Sequence, residues 1–145
     1  MQVDFYQLAG TPPEQVIASI ADKLLATGGR LIVVADDEVF LARLNRMLWD
    51  QAPTSFVPHD TAGGADDARQ PVLLTTSPDA PNLARNMLIA DGVWRESALS
   101  YDRSFYLFDN ATLAGAREAW KSLATNEDVE RRYWAQESGK WVKKA

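Results

Sequence analysis

The first third of the chain alternates between the hydrophobic period of a strand and that of a helix. Residues 3–8 alternate as a strand does, and apolar residues in segment 16–25 then recur at helical spacing until two glycines end the pattern. Residues 31–35 form a short apolar run typical of a strand covered on both faces, and a second helical pattern runs from Asp36 to about Gln51. This order predicts an α/β fold with an open, mostly parallel sheet and helices on both faces.

The middle of the chain carries weaker signals of the same kind. Short apolar runs predict three more strands, at residues 72–76, 86–90 and 104–108. Residues 93–99 fit a helical turn, and a third amphipathic helix follows Asp109. The order of these strands in the sheet cannot be deduced from local patterns.

Two segments outside this pattern are rich in polar or turn-forming residues. The small, polar residues 61–69 predict a mobile loop, whereas the stretch 137–140, flanked by residues 131–136 and 140–143, predicts a small hairpin or an extended arm. A chain of 145 residues is long enough for one substantial core but short for two. We therefore expect residues 1–145 to form a single domain.

The side chains that metal and thiol chemistry need are scarce in this sequence. The chain has no cysteine and only one histidine, His59, which excludes disulfides, cysteine-ligated metals and a multi-histidine zinc site. Ser55 lies four residues before His59, but no glycine-flanked nucleophile turn surrounds it, so we expect His59 to be structural. The sequence predicts no catalytic residue, no metal ligand and no cofactor.

A sheet of the predicted type often binds phosphate at the turn after its first strand. That turn, residues 9–13, has one glycine and two prolines, so it matches neither the dinucleotide fingerprint nor the P-loop. Asp36 and Asp37 follow a strand, as the acidic pocket of a phosphorylation receiver does, but the phosphoacceptor aspartate and the late lysine are missing. A small phosphate-handling enzyme or receiver domain is nevertheless the alternative function.

The charge of the chain is unevenly distributed. The net charge is −5 overall, yet it is −7 over residues 1–116 and +2 over residues 117–145. The acidic majority argues against direct binding of DNA phosphates, whereas the basic end is either a solubilising tail or a dock for an acidic partner. Because the start of the chain has no secretion signal and no long apolar run occurs, we expect a cytoplasmic protein without a membrane partner.

The segment 47–60 has more apolar surface than a loop usually carries. Trp49, Phe56 and Val57 stand there beside Pro53 and Pro58. These side chains either pack under the sheet as core or project from a proline-braced loop as anchors of a protein interface.

The combination of Trp49 with the block Ser-Phe-Val-Pro-His at residues 55–59 resembles the chi subunit family of bacterial DNA polymerase III. The small-residue stretch 62–64, the acidic strand-to-helix turn 33–38, the strand 105–109 and the helix 116–121 occur in the same order as in that family. The likeness covers nearly the whole chain, and the tryptophan with the proline-histidine block is its most specific part.

The resemblance implies a non-catalytic accessory subunit of the replicative polymerase, with a nucleotide-binding type of fold that lacks the phosphate loop. Such a protein links the clamp-loader complex to single-stranded DNA-binding protein and meets DNA only indirectly. One family surface, formed here by Trp49, Phe56, Val57 and Pro58, binds the psi subunit or an alternative helicase partner. The other surface binds the acidic C-terminal tail of single-stranded DNA-binding protein.

The resemblance places that tail-binding surface on the last helix, at Arg117, Trp120 and Lys121. Arg117 and Lys121 are four residues apart and therefore share a helix face, although a solvated face with Trp120 in the core would have the same spacing. The family carries another basic residue one turn earlier, where this chain has Leu113. Basic residues of the C-terminal segment are candidates to replace it, namely Arg131, Arg132, Lys143 and Lys144.

Overall fold

The computed structural model describes residues 1–51, 59–61, 68 and 70–145. Within them, eight strands form one sheet, and three α-helices and a 3-10 helix, Glu96–Ser100, pack on it. The helices are α1 (Pro13–Ala26), α2 (Glu38–Gln51) and α3 (Leu113–Leu123). The strands are β1 (Gln2–Gln7), β2 (Leu31–Val34), β3 (His59–Thr61), β4 (Val72–Thr75), β5 (Asn86–Ile89), β6 (Arg103–Phe108), β7 (Glu130–Glu137) and β8 (Lys140–Lys143).

The spatial order of the strands is β3-β4-β2-β5-β6-β1-β7-β8. Every pairing along it is parallel except the last, in which β7 and β8 form an antiparallel hairpin. The predicted α/β class with a mostly parallel sheet is therefore confirmed. Of the two forms expected for the C-terminal segment, the hairpin is the one present, and β7 extends the sheet beside β1.

The two faces of the sheet have separate cores, because successive residues of each strand point to opposite sides. One core packs beneath α1 and α2 and includes Val33 and Leu74. The other packs beneath α3 and the 3-10 helix and includes Val34 and Leu73. Helices therefore cover both faces, with α2 and α3 on opposite sides.

The acidic residues that precede two helices satisfy free backbone N–H groups. Asp37 Oδ1 accepts a hydrogen bond from the Val39 N–H at 2.9 Å at the start of α2. Asp109 Oδ1 accepts bonds from the N–H groups of Ala111 and Thr112, at 3.0 and 3.2 Å, just before α3. The Asp37 bond is that of a helix N-cap, whereas the Asp109 bonds close the turn that leads into α3, whose N-cap residue is Thr112.

The structure differs from the sequence-based expectation at two places. Thr61, expected to open a mobile loop, is the last residue of β3, which pairs with β4 and was not predicted. Three residues are too few to show an alternating pattern, so pairing with the neighbouring strand defines this element. The expected helical turn at 93–99 is a 3-10 helix shifted to Glu96–Ser100. Apart from Thr61 and Ala68, the predicted loop lies outside the described residues.

No helix in the described ranges has the length and apolar character needed to cross a membrane.

Candidate protein-interaction surface

The last helix, α3, presents basic side chains above a buried alanine and leucine stripe. Ala116, Ala119 and Leu123 are buried against the sheet, whereas Arg117 and Lys121 are exposed. The structure therefore places both predicted basic residues on the outer side of α3. Trp120, the third predicted residue, lies between these two sides and is half-buried.

The ring of Trp120 packs edge-on against two other aromatic rings. Its centroid lies 5.1 Å from that of Phe5 and 5.7 Å from that of Tyr133, with interplanar angles of 85° and 88°. Phe5 and Tyr133 belong to β1 and β7, so the contacts tie the helix to the two paired strands. Edge-to-face contacts of this kind stabilise aromatic clusters beyond their buried area. Trp120 is thus both part of a packed cluster and part of the surface.

Arg131 of β7 covers Trp120. The guanidinium carbon lies 4.0 Å from the centroid of the indole ring, a cation–π contact. Nη1 of Arg131 also donates a hydrogen bond to the backbone carbonyl of Trp120 at 2.6 Å. The two contacts hold the guanidinium in a defined place on the α3 surface.

The charge of Arg117 acts on Tyr133, a member of the aromatic cluster. Burial raises the pKa of the Tyr133 phenol, and the nearby positive charge of Arg117 partly opposes that rise. The phenol donates a hydrogen bond to Gln7 Oε1 at 2.6 Å. Arg117 is therefore close enough to the cluster for its charge to act on the same surface as Arg131.

Three cations lie at this surface without a carboxylate partner in the described part of the chain. Within the described residues, Arg117, Lys121 and Arg131 form no ion pair with a carboxylate, whereas Arg132 pairs with Glu130 at 2.8 Å. Lys144 is likewise paired, with Glu137. We define the basic surface as Arg117, Trp120, Lys121 and Arg131. It presents positive charge beside an aromatic side chain in a chain of net charge −5.

Strand alternation separates the four candidate basic residues of the C-terminal segment, Arg131, Arg132, Lys143 and Lys144. Arg131 shares the α3 side of β7 with Tyr133, and Lys144 lies opposite Tyr133 in the hairpin, donating its N–H to that residue's carbonyl at 2.7 Å. Arg132 and Lys143 fall on the other side of the sheet, where Lys143 pairs in register with Trp134. Composition does not distinguish these four residues. The alternation of β7 separates Arg131 from Arg132, and the register of the hairpin separates Lys143 from Lys144.

The second predicted surface is described only in part. Trp49 lies in α2 and is 42% exposed, whereas Leu41 and Leu44 of the same helix are buried against the sheet. The partners expected beside Trp49, namely Phe56, Val57 and Pro58, lie outside the described residues. Because α2 and α3 cover opposite faces of the sheet, Trp49 and the basic surface are on opposite sides of the molecule.

The carboxyl ends of the central strands form the site where related sheets bind phosphate. A cavity of about 600 Å³ lies there, and its lining includes Asp37, Asp91 and Asp109 together with Pro12 and Pro13. The prolines have no N–H to donate, and the three carboxylates disfavour an anion. The arrangement does not suit phosphate binding.

Asp36, at the same edge, is held by Arg95. Nη2 of Arg95 lies 2.7 Å from Asp36 Oδ1, and the same guanidinium binds Asp91. The acidic pair 36–37 thus has structural partners, an ion pair for one residue and a helix cap for the other. In the described ranges, no group of three or more histidine, aspartate or glutamate side chains is arranged to hold a metal ion.

Comparison with known proteins assigns the family. The family model described as DNA polymerase III chi subunit, HolC, matches residues 1–129. The DNA polymerase III subunit chi of Escherichia coli (strain K12) is 31% identical over 77 residues, which make up 53% of this chain and 52% of that protein. This alignment thus spans about half of each protein, whereas the family model covers most of this chain. The chain belongs to the DNA polymerase III chi subunit family.

Proposed function

We propose that this protein is a non-catalytic adaptor of the replicative DNA polymerase. In this role the α3 part of the basic surface, namely Arg117, Trp120 and Lys121, binds the acidic C-terminal tail of single-stranded DNA-binding protein. The opposite surface around Trp49 binds a psi subunit or a helicase partner. The protein thereby links the clamp-loader complex to the protein that coats single-stranded DNA, and it meets DNA only indirectly. We place it in the cytoplasm as a single domain without a cofactor.

The observation that carries this proposal is the set of cations around Trp120 that pair with no carboxylate among residues 1–51, 59–61, 68 and 70–145. A peptide that ends in acidic residues and a free carboxylate needs fork-shaped or point-like positive donors, which Arg117 and Lys121 offer. The half-buried indole of Trp120 offers apolar contact for an aromatic residue at the end of such a peptide. Because the chain belongs to a family of DNA polymerase subunits, we look for the acidic partner of this surface among replication proteins.

The positions of the two surfaces also support an adaptor. Trp49 on α2 and Trp120 on α3 lie on opposite faces of one sheet, so two partners bound there would not compete for space. The sheet joins the two helices through buried strands, which gives a rigid connection between the partners.

The test is calorimetric titration with the isolated C-terminal peptide of single-stranded DNA-binding protein. Wild-type protein should bind it, and Arg117→Ala should weaken binding by about 1.5–3 kcal/mol, the range of a charge-assisted hydrogen bond. Lys121→Ala should cost less because an ammonium group cannot form the two parallel bonds of a guanidinium. Higher salt should weaken binding in wild type, and naked single-stranded DNA should bind poorly.

Two results would exclude this function. Unchanged affinity in Arg117→Ala, or equal affinity for a peptide that lacks its last residues, would show that α3 is not the tail site. Magnesium-dependent binding of ATP or an acyl phosphate at micromolar concentration would instead favour the phosphate-handling alternative.

A further inference from the structure

The C-terminal hairpin, residues 130–145, follows the segment that the family model matches, residues 1–129. Its first strand, β7, pairs with β1 along the edge of the sheet that α3 covers. This pairing brings Arg131 and Tyr133 against Trp120. Part of the basic surface therefore comes from a segment beyond the matched region.

Arg131 has unused donor capacity at this surface. A guanidinium carries five N–H donors, and one of them binds the carbonyl of Trp120 at 2.6 Å. Across the described part of the chain, the guanidinium forms no ion pair with a carboxylate. The neighbouring Arg132 differs, since it points to the other face and pairs with Glu130 at 2.8 Å.

The position of the Arg131 guanidinium is already ordered before any ligand arrives. The indole face of Trp120, 4.0 Å away, and the carbonyl bond restrict the side chain to one place. Ordering a long side chain is one of the costs of binding, so a prearranged guanidinium binds a carboxylate at a lower entropic cost than a free one. Arg117 and Lys121, which are exposed on α3, lack such a restraint among the contacts described.

We propose that Arg131 is a second arginine of the peptide-binding site and binds one carboxylate of an acidic peptide while remaining stacked on Trp120. Arg117 of α3 binds another carboxylate of the same peptide. This inference rests on the proposed function and deepens it, because it makes the C-terminal hairpin part of the site. It also limits the ligand to peptides with at least two carboxylates.

The experiment compares Arg131→Gln with Arg132→Gln, using the same acidic peptide and calorimetric titration. Both variants remove one positive charge at adjacent positions of β7, but only Arg131 faces Trp120. Arg131→Gln should weaken binding about 10- to 100-fold, the equivalent of one charge-assisted hydrogen bond, whereas Arg132→Gln should change it less than about twofold. Equal losses in the two variants would overturn the inference, since they would reflect net charge alone.

A second set of titrations separates direct binding from a structural effect on Trp120. Peptides with one carboxylate neutralised at a time, as Asp→Asn or as a terminal amide, are titrated into wild type and Arg131→Gln. If Arg131 contacts the peptide directly, one of the neutralised peptides should bind Arg131→Gln as tightly as the unmodified peptide does. The carboxylate that this peptide lacks is the one that Arg131 would have bound. If neutralising each carboxylate lowers the affinity of Arg131→Gln by the same factor as that of wild type, for every peptide, the inference is overturned. If thermal melting shows that Arg131→Gln is unfolded, Arg131→Lys takes its place in the same cycle.

These outcomes also distinguish the inference from the function on which it rests. Binding that depends on Arg117 but not on Arg131 would leave the adaptor function standing and remove Arg131 from the site. A wild-type protein that does not bind the peptide would remove both.

Discussion

Arg95 donates two hydrogen bonds to Asp91, from Nη1 to Oδ1 at 2.9 Å and from Nη2 to Oδ2 at 3.0 Å. The pair is mostly buried, with side-chain exposures of 14% and 19%. Arg95 also reaches Asp36, so one guanidinium joins the segment after β5 to the segment after β2. The contact fixes the carboxyl edge of the sheet between two central strands.

Asp91→Asn should destabilise the protein by about 1–3 kcal/mol at neutral pH, because Arg95 would lose the more buried of its two charged partners. Burial alone would raise the pKa of Asp91, but hydrogen bonds from Arg95 and from two backbone N–H groups lower it below its ordinary value of 3.8. A lowered folded-state pKa means that this stabilisation is present above about pH 4 and disappears as the pH falls through the folded-state value. Urea unfolding of wild type and Asp91→Asn should therefore show a difference in the free energy of unfolding that shrinks as the pH is lowered from 7 to 2.

The control for that variant is Asp102→Asn. Asp102 pairs with Arg85, but both side chains are largely exposed, at 59% and 77%, so its removal should change stability little. Equal effects of the two substitutions would contradict the importance assigned to the Asp91–Arg95 pair.

Gly92→Ala should be strongly destabilising, by about 2 kcal/mol or more, because backbone strain and overlap act together. Gly92 has φ +74°, and an added Cβ would lie 2.6 and 2.7 Å from Cγ2 and Cβ of Thr112. Gly10 has φ +87°, and a Cβ added there would meet no atom within 4 Å, so Gly10→Ala isolates the strain and should cost only about 1 kcal/mol. Thermal or chemical unfolding of the two variants checks the difference, and similar losses would contradict the predicted overlap.

Alkaline pH should destabilise the fold through two tyrosines. Burial, aided by Asp4 for Tyr6 and by Asp91 for Tyr106, raises the pKa of each phenol to about 12. Because the folded-state pKa is raised, each phenol contributes stability that is fully present below the ordinary pKa of 10.0 and is lost as the pH rises through about 12. Ultraviolet titration should show that these two phenols ionise at a higher pH than a free tyrosine does. Ionisation of all tyrosines near pH 10 would disprove the prediction.

Tyr106→Phe should flatten the loss of stability between pH 10 and pH 12, because the unfolded chain then has one ionisable phenol fewer. At neutral pH the same variant should cost about 1 kcal/mol, since the Tyr106 hydroxyl donates a buried hydrogen bond to the Gly92 carbonyl at 2.7 Å. Stability measured at pH 7, 10 and 11.5 in wild type and variant separates these two effects.

Trp49→Ala should weaken binding of a psi or helicase partner by about 2 kcal/mol, the scale of an aromatic anchor. Val39→Ala is the matched control, because Val39 is 77% exposed in the first turn of the same helix and is not part of the proposed anchor. Affinity for the purified partner is the measurement. Equal affinities of the two variants would remove Trp49 from the interface.

Phe56→Ala should weaken binding of the same partner by a similar amount, about 2 kcal/mol, with little change in the stability of the protein. Thermal melting distinguishes the two readings of the proline-flanked segment. A fall of more than about 10 °C would assign Phe56 to the core instead of the interface.

The sequence by itself determined the elements whose signals are local. The helical spacing of apolar residues predicted α1 and α2, and short apolar runs predicted the central strands, because each pattern reflects side chains burying themselves on one element. The missing phosphate loop and the tryptophan with its proline-histidine block were equally readable, and they indicated the family that the comparison then established. Arg117, Trp120 and Lys121 were likewise placed together, because residues three or four apart meet on one helix face.

Only the tertiary structure decided which distant segments meet. The strand order separates β1 from β2 by two other strands, and β3 is defined by its pairing with β4, neither of which leaves a local pattern. Arg131 and Arg132 are adjacent in the sequence, yet pairing of β7 with β1 sends the first onto Trp120 and the second to the opposite face. The physical reason is that long-range pairing depends on how whole elements pack, so it determines which of several similar basic side chains reaches the surface that α3 forms.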